Sequence, residues 1–163
     1  MEENEQKVNK HKNGMVHFIL VHSYLVFLFA IILGASLDPL INKKVFSNSV
    51  YQNIGLLLLA VSSLIIYWAQ KSSSNYHKKE IKNDSRSKFE FGPYKYLRSP
   101  THFGLFIMTL GFSLIINSFF GVVLTVIAYA ITKLLFLKKE EKILEKKYGQ
   151  IYSEYKKKVK NWI

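Results

Sequence analysis

Four long stretches with few charges constrain this chain more than any other feature: residues 16–37, 54–69, 100–116 and 119–137. A helix rises about 1.5 Å per residue, so about 20 apolar residues cross the roughly 30 Å hydrocarbon core of a bilayer. Hydrophobic residues make up 49% of the 163 residues, and that content with such long uncharged runs is typical of membrane proteins. We therefore predict a single-domain, all-α integral membrane protein with about four transmembrane helices.

Three polar segments lie between or beside these spans, and we predict a structure for each of them. Residues 1–14 are expected to form a polar tail or a short surface helix, and residues 70–90 a flexible loop. Residues 138–162 are predicted to form a basic amphipathic helix, with Gly149 as a candidate bend. Its apolar side comprises Leu144, Tyr148, Ile151, Tyr152, Tyr155, Val159 and Trp162. Such a helix lies on a membrane surface or closes over a bound cofactor.

The positive charge of the chain is distributed in a way that predicts its partners and its orientation. The net charge is +12, but the charges cluster beside the apolar spans, which favours anionic lipid headgroups over nucleic acid. Lys and Arg number three before the first span, two between the first and second, eight from the second span through Arg98, and none between the third and fourth. By the positive-inside rule, both termini are predicted to be cytoplasmic. With no cysteine, a disulfide framework and a thiolate metal site are excluded, and no other metal site is predicted.

One stretch, Gly92 to Gly104, combines several signals where a basic segment meets the third apolar span. Gly-Pro at its start is a turn signal, and Ser99-Pro100 is typical of a helix N-cap followed by proline at the first helical position. The positive end of that helix would face the aqueous edge of the membrane, beside Lys95 and Arg98. This arrangement predicts an anion site at the membrane surface.

This stretch and a second one near the C-terminus resemble the membrane methyltransferases of the isoprenylcysteine carboxyl methyltransferase and phospholipid methyltransferase group. The family carries G-P-Y-R-Y-x-R-H-P-x-Y-x-G, and this chain has GPYKYLRSPTHFG from residue 92. Glu140-Glu141 and the residues that follow them are similar to the family's E-E-x-x-L-x-x-x-[FY]-G-x-x-Y-x-x-Y-x-x-x-V ending. The chain departs from the family pattern twice, with Ser99 in place of His and His102 in place of Tyr.

The resemblance implies an enzyme that transfers a methyl group from S-adenosylmethionine to a lipophilic acceptor at the cytoplasmic membrane face. The acceptor would be an isoprenylcysteine carboxylate, a phospholipid amine or a small thiol. Arg98 and Glu141 are the expected catalytic residues. The expected cofactor-binding residues are Tyr94, Tyr96, Arg98, Ser99, Pro100, His102, Gly104, Glu140 and Glu141.

Chemistry supports this assignment, because the cofactor has three distinct handles. Its carboxylate requires cations or N–H donors such as Arg98, while its ammonium and ribose hydroxyls require carboxylates such as Glu140 and Glu141. Its adenine requires an apolar or aromatic slot, for which Tyr94, Tyr96, Phe103 and the aromatic side of the last helix are the candidates. Two interpretations of His102 stay open. Either its imidazole replaces the family histidine from one turn further along the helix, or Ser99 merely caps the helix and His102 fills space at the membrane interface.

Two other classes of function remain as alternatives. The architecture is also similar to small sterol-reductase-like membrane enzymes, in which the basic residues 78–88 would hold the 2′-phosphate of NADPH. The second alternative is a non-catalytic, basic membrane adaptor that holds anionic lipid or a partner helix. The adaptor would tolerate conversion of Glu140 and Glu141 to glutamine, whereas a methyltransferase would lose cofactor binding.

Overall fold

The computed structural model describes residues 2–41, 48–79 and 92–159, and in these ranges the chain is helical with no β-strand. Its helices are α1 (Glu2–Leu37), α2 (Ser49–Lys79), α3 (Pro100–Ile115), α4 (Phe119–Ile131), α5 (Lys138–Tyr148) and α6 (Gln150–Lys158). Short 3₁₀ turns follow α1 at Asp38–Ile41 and precede α3 at Gly92–Lys95, and a π-helical segment, Thr132–Leu137, joins α4 to α5. The predicted all-α class is confirmed.

Three helical segments are long and apolar enough to cross a membrane: Phe18–Leu40, Ser49–Ser73 and Phe119–Lys146. The predicted integral membrane class is therefore confirmed for three spans. Helix α3 is also apolar but has only 16 residues, or about 24 Å at 1.5 Å per residue. That length is slightly less than the thickness of the hydrocarbon core, and a fourth span at α3 stays a prediction.

Two polar segments differ from their predicted structure. The predicted loop at residues 70–90 is wrong for its first ten residues, because α2 continues without a break to Lys79. No glycine or proline interrupts that stretch, so its polar residues extend the helix beyond the apolar span. The rest of the predicted loop, residues 80–90, lies outside the described residues. At the N-terminus, the predicted tail is helical from Glu2 and continuous with the first span.

The C-terminal region is also organised differently from the prediction. Helix α4, the π-helical segment and α5 form one continuous helix from Phe119 to Tyr148, so the predicted boundary between the fourth span and a separate amphipathic helix at residue 138 is wrong. The break comes at Gly149, whose φ of 56° and ψ of −128° favour glycine over any L-residue. The candidate bend is thus confirmed, and α6 turns back from it. The predicted helix end at residue 162 lies outside the described residues.

Glycines bring the long helices into close contact. A Cβ atom on Gly55 of α2 would lie 2.7 Å from the carbonyl oxygen of Gly111 on α3, and one on Gly34 of α1 would lie 2.5 Å from the backbone of Gly121 on α4. Small residues of this kind allow backbones to approach closely where lipid supplies no hydrophobic drive for association. The contacts fix α3 against α2 and α4 against α1.

A tight turn between α3 and α4 decides which ends of the helices meet. Asn117 has a positive φ of 57°, and the Ser118 hydroxyl caps α4 by accepting a 2.8 Å hydrogen bond from the Gly121 amide. Asp38 accepts a second one, 3.0 Å long, from the Phe120 amide. The turn makes α3 and α4 a hairpin. Because α3 and α4 run antiparallel, the start of α3 lies at the same end of the bundle as α5.

Candidate functional site

Helix α3 begins at Pro100, as predicted, but its first turn is not capped in the predicted way. Ser99 occupies the N-cap position with φ −132° and ψ 65°, and its side chain makes no capping hydrogen bond. Its carbonyl oxygen instead accepts a 3.2 Å hydrogen bond from the Phe103 amide. Pro100 is buried at the first helical position, where its missing N–H costs nothing. The predicted role of the Ser99 hydroxyl as a cap is therefore wrong.

An ion pair joins the two sequence motifs. Nη1 of Arg98 lies 2.9 Å from Oε1 of Glu141, and the two side chains are only 12% and 15% exposed. The distance is that of an ion pair, and neither atom has a hydrogen-bond partner among the described residues. The two charges thus neutralise each other, while Nη1 of Arg98 and Oε1 of Glu141 remain able to form hydrogen bonds with a ligand.

A second cation reaches Glu141 from helix α6. Nζ of Lys156 lies 3.1 Å from Oε2 of Glu141 and 3.0 Å from Oε1 of Glu145. Its hydrogen bond to Glu145, and to a lesser extent that to Glu141, raises the pKa of the Lys156 ammonium. The ammonium therefore stays charged at neutral pH. Sequence reasoning missed Lys156. It lies one residue after Tyr155, on a helix whose direction depends on the Gly149 bend.

His102 points into the bundle and contacts two other helices. Its side chain is 3% exposed, Nε2 lies 3.2 Å from the Ser23 hydroxyl of α1, and Nδ1 lies 3.9 Å from Oε2 of Glu140. An imidazole held among three helices favours the interpretation in which His102 is part of the site over the one in which it fills space at the interface. Ser23 was not predicted to belong to the site, because its contact with His102 spans 79 residues.

Four buried polar atoms of this cluster lack a hydrogen-bond partner among the residues that the structure describes. They are Nε and Nη1 of Arg98, Oε2 of Glu140 and Oε1 of Glu141. A buried polar atom without a partner costs about 1–3 kcal/mol, so native proteins seldom keep one without a reason. Two of the four are donors and two are acceptors. A small ligand with both an anionic and a cationic group would satisfy them.

Three tyrosines enclose the cluster. The Tyr155 hydroxyl donates a 2.6 Å hydrogen bond to the Tyr94 carbonyl oxygen, and the rings of Tyr152 and Tyr155 are 5.8 Å apart. Burial raises the pKa of the Tyr94, Tyr152 and Tyr155 phenols, and Glu141 and Glu140 raise that of Tyr152 further. All three phenols are therefore neutral at physiological pH. They supply aromatic surface and neutral hydroxyls beside the carboxylates.

Other residues of the first motif lie away from the cluster. Tyr96 is 64% exposed, and Lys95 is exposed as well. Gly104 is buried against α2, where an added Cβ would lie 2.6 Å from Ile66. The structure thus gives Gly104 a role in helix packing, and it places neither Gly104 nor Tyr96 beside the carboxylates with which they were predicted to act.

Comparison with known proteins agrees with this geometry. The family model described as phospholipid methyltransferase matches residues 50–151, which is more than half of the chain. No curated protein and no solved structure matches the chain. The matched residues include Arg98, His102 and both glutamates, and they end just before the aromatic residues of α6. The chain therefore belongs to the phospholipid methyltransferase family, and this membership implies methyl transfer to a lipid substrate.

Proposed function

We propose that this protein transfers a methyl group from S-adenosylmethionine to a lipophilic acceptor at the cytoplasmic face of a membrane. The observation that carries the proposal is the buried ion pair of Arg98 and Glu141, surrounded by donor and acceptor atoms with unused hydrogen-bonding capacity. The acceptor class comprises phospholipid amines, isoprenylcysteine carboxylates and small thiols. The family match supports a lipid among these.

The residues present fit such a cofactor. Nε and Nη1 of Arg98 make no hydrogen bond among the described residues and suit its carboxylate, and Oε2 of Glu140, which makes none either, suits its ammonium. Oε1 of Glu141 is ion-paired with Arg98 but also makes no hydrogen bond there, so it suits a ribose hydroxyl. The rings of Tyr152 and Tyr155 offer aromatic surface close to the same carboxylates. When bound, the cofactor supplies an electrophilic methyl group on a sulfonium.

The two glutamates would have different tasks. Both oxygens of Glu141 face cations, Arg98 on one side and Lys156 on the other, so Glu141 is held in one orientation. Oε2 of Glu140 lies 3.9 Å from Nδ1 of His102 and makes no hydrogen bond among the described residues. Glu140 would bind the cationic part of a ligand, while Glu141 would fix the position of Arg98. Because methyl transfer is an in-line displacement, precise positioning by this framework would supply much of the rate enhancement.

The membrane defines the two routes into the site. Three of the described helical segments are apolar and long enough to cross a bilayer. The cluster lies at the end of the bundle where α3 begins and where α5 follows the apolar helix α4. A hydrophilic cofactor would enter from the cytoplasm, and a lipophilic acceptor would enter sideways from the bilayer. The positive-inside distribution of Lys and Arg supports a cytoplasmic location for the cluster and both termini.

The two alternative functions receive less support. Two carboxylates at the centre of the cluster disfavour a polyanionic cofactor such as NADPH. Of the basic residues predicted to hold its 2′-phosphate, those from 80 to 88 lie outside the described residues. A lipid adaptor would give no reason for buried glutamate oxygens that lack partners. The family match also favours methyl transfer over both.

A methyl-transfer assay tests the proposal. Full-length protein in lipid nanodiscs is incubated with methyl-tritiated S-adenosylmethionine and one acceptor of each class, and label in the organic phase is counted. We expect transfer to one class, its loss in Arg98→Gln, and its retention in Lys95→Gln, which removes an exposed cation of the same motif. Folded protein that labels no acceptor, or an Arg98→Gln variant as active as wild type, would refute the proposal.

A further inference from the structure

Three side chains from three helices form a linear series inside the bundle. Ser23 of α1 is fully buried, its hydroxyl donates a 3.1 Å hydrogen bond to the Ile19 carbonyl oxygen, and it lies 3.2 Å from Nε2 of His102. On the other side of the ring, Nδ1 lies 3.9 Å from Oε2 of Glu140. The imidazole thus connects a neutral hydroxyl to a carboxylate.

The single proton of the Ser23 hydroxyl determines the direction of its hydrogen bond with His102. A serine hydroxyl has one proton, and Ser23 donates it to Ile19. Towards His102 the hydroxyl oxygen can therefore only accept, so Nε2 of His102 must carry the proton of a neutral imidazole. Nδ1 is then left with a free lone pair.

That lone pair faces a second acceptor. Oε2 of Glu140 is buried and has no hydrogen-bond partner among the described residues, and 3.9 Å is too long for a proton shared directly with Nδ1. Both atoms are acceptors, so one nitrogen that lies about 2.9 Å from each of them, an ordinary hydrogen-bond length, would donate to both. A cationic nitrogen would also neutralise the carboxylate, which makes an ammonium group the best match.

We infer that Nδ1 of His102 and Oε2 of Glu140 form a site for the ammonium group of a ligand, and that Ser23 is the positioning residue that fixes the tautomer of His102. The inference rests on the proposed function for the ligand. Two sources share the required chemistry: the α-ammonium group of the cofactor and the amine of a lipid headgroup. In both cases the site binds through hydrogen bonds and charge, and Ser23 acts only through His102.

The tautomer is tested first, by nitrogen-15 NMR of the full-length protein with labelled histidine. The chain has five histidines, and the His102→Gln spectrum identifies the signals of His102 by their loss. We expect a protonated Nε2 and a bare Nδ1 in wild-type protein and in Ser23→Thr, and a change in this pattern in Ser23→Ala. A protonated Nδ1 in the wild type would overturn the inference. This readout does not depend on methyl transfer.

Calorimetry and kinetics then identify the source of the ammonium group. If the cofactor supplies it, Ser23→Ala raises the Kd of S-adenosylhomocysteine about tenfold or more, and Ser23→Thr restores it. An analogue without the α-amino group should bind wild type and Ser23→Ala equally. If a lipid supplies it, S-adenosylhomocysteine binding stays unchanged, and the KM for dioleoylphosphatidylethanolamine vesicles rises by a similar factor.

Other outcomes refute the inference. Equal losses for S-adenosylhomocysteine and the analogue, without rescue by Ser23→Thr, would show that Ser23 matters only for packing. Normal Kd and KM in Ser23→Ala would show that Ser23 positions nothing, and the proposed methyltransferase function would survive that result. If wild-type protein binds no cofactor and methylates no lipid, the ammonium site fails together with the proposed function.

Discussion

The hydroxyl of Tyr155 donates a 2.6 Å hydrogen bond to the carbonyl oxygen of Tyr94, which joins helix α6 to the turn that precedes α3. The two residues are 61 positions apart, and both are largely removed from solvent. This bond and the ion pair of Lys156 with Glu141 attach α6 to the cluster. The integrity of the site therefore depends on how firmly α6 is attached.

Removal of the Tyr155 hydroxyl tests that attachment. In Tyr155→Phe, we expect helix α6 to open more easily, by about 1 kcal/mol, because one buried hydrogen bond is lost. Hydrogen exchange of residues 150–158 measures the change. The matched control is Tyr96→Phe, which alters an exposed tyrosine of the same turn and should have no effect. Equal exchange in the two variants would mean that the Tyr155–Tyr94 bond does not attach α6.

The ion pairs of Lys156 predict a dependence of stability on pH. Glu145 and Glu141 raise the pKa of Lys156 above its ordinary value of 10.5. A raised pKa in the folded state means that the stabilisation is complete below pH 10.5 and is lost as the pH rises through the folded-state pKa. Thermal unfolding between neutral and strongly alkaline pH should therefore show a smaller alkaline loss in Lys156→Met than in wild type. Because Lys156 is 39% exposed, the effect should be small.

The control for this measurement is Lys157→Met, which removes an exposed lysine from the same helix. The Lys157→Met protein should lose as much thermal stability at alkaline pH as the wild-type protein does. If Lys156→Met and Lys157→Met behave alike, the contacts of Lys156 with the two glutamates contribute nothing to stability.

The bend at Gly149 should resist substitution for backbone reasons alone. A Cβ atom there would contact nothing within 4 Å, but the φ of 56° is one that L-residues rarely adopt. We expect Gly149→Ala to destabilise the docked position of α6 by about 1–3 kcal/mol. Limited proteolysis after residue 149 reports that position. Gln150→Ala, a change at the next and exposed residue, should leave cleavage unchanged, and an equally resistant Gly149→Ala would contradict the strained bend.

The contact between α2 and α3 should be equally intolerant, for steric reasons. An added methyl group at Gly55 would lie 2.7 Å from the Gly111 carbonyl oxygen, so the two helices must separate. Overpacking of this kind costs about 1–3 kcal/mol, and we expect Gly55→Ala to lower the unfolding temperature in detergent. Leu57→Ala removes a large side chain that is 64% exposed, and it should have the smaller effect. The reverse order would mean that α2 and α3 do not pack through these glycines.

Much of the fold was predictable because its signals are local. Hydropathy located the long apolar helices, Ser99-Pro100 marked the start of α3, and Gly149 marked the bend. The end of α2 was not predictable in this way. A helix can continue through polar residues where no proline or glycine stops it, so composition alone gave the wrong boundary.

The site was predictable only where a motif named its residues. The order and spacing of the motifs led to Arg98, His102, Glu140 and Glu141, which the structure brings together. Ser23 and Lys156 carry no motif, and their contacts depend on helix rotation and on the direction of α6. For the same reason the sequence did not show that Tyr94 lies at the cluster while Tyr96, two residues further on, is exposed.

Calorimetric titration of S-adenosylhomocysteine into the detergent-purified, full-length protein tests the central claim most directly. The claim is that the Arg98–Glu141 pair and its unpaired neighbours hold the cofactor. We predict micromolar binding by wild type, a loss of at least about tenfold in Glu141→Gln, and unchanged binding in Glu154→Gln, which alters an exposed carboxylate of α6. Folded wild-type protein that binds no cofactor, or a Glu141→Gln variant that binds as tightly as wild type, would contradict it.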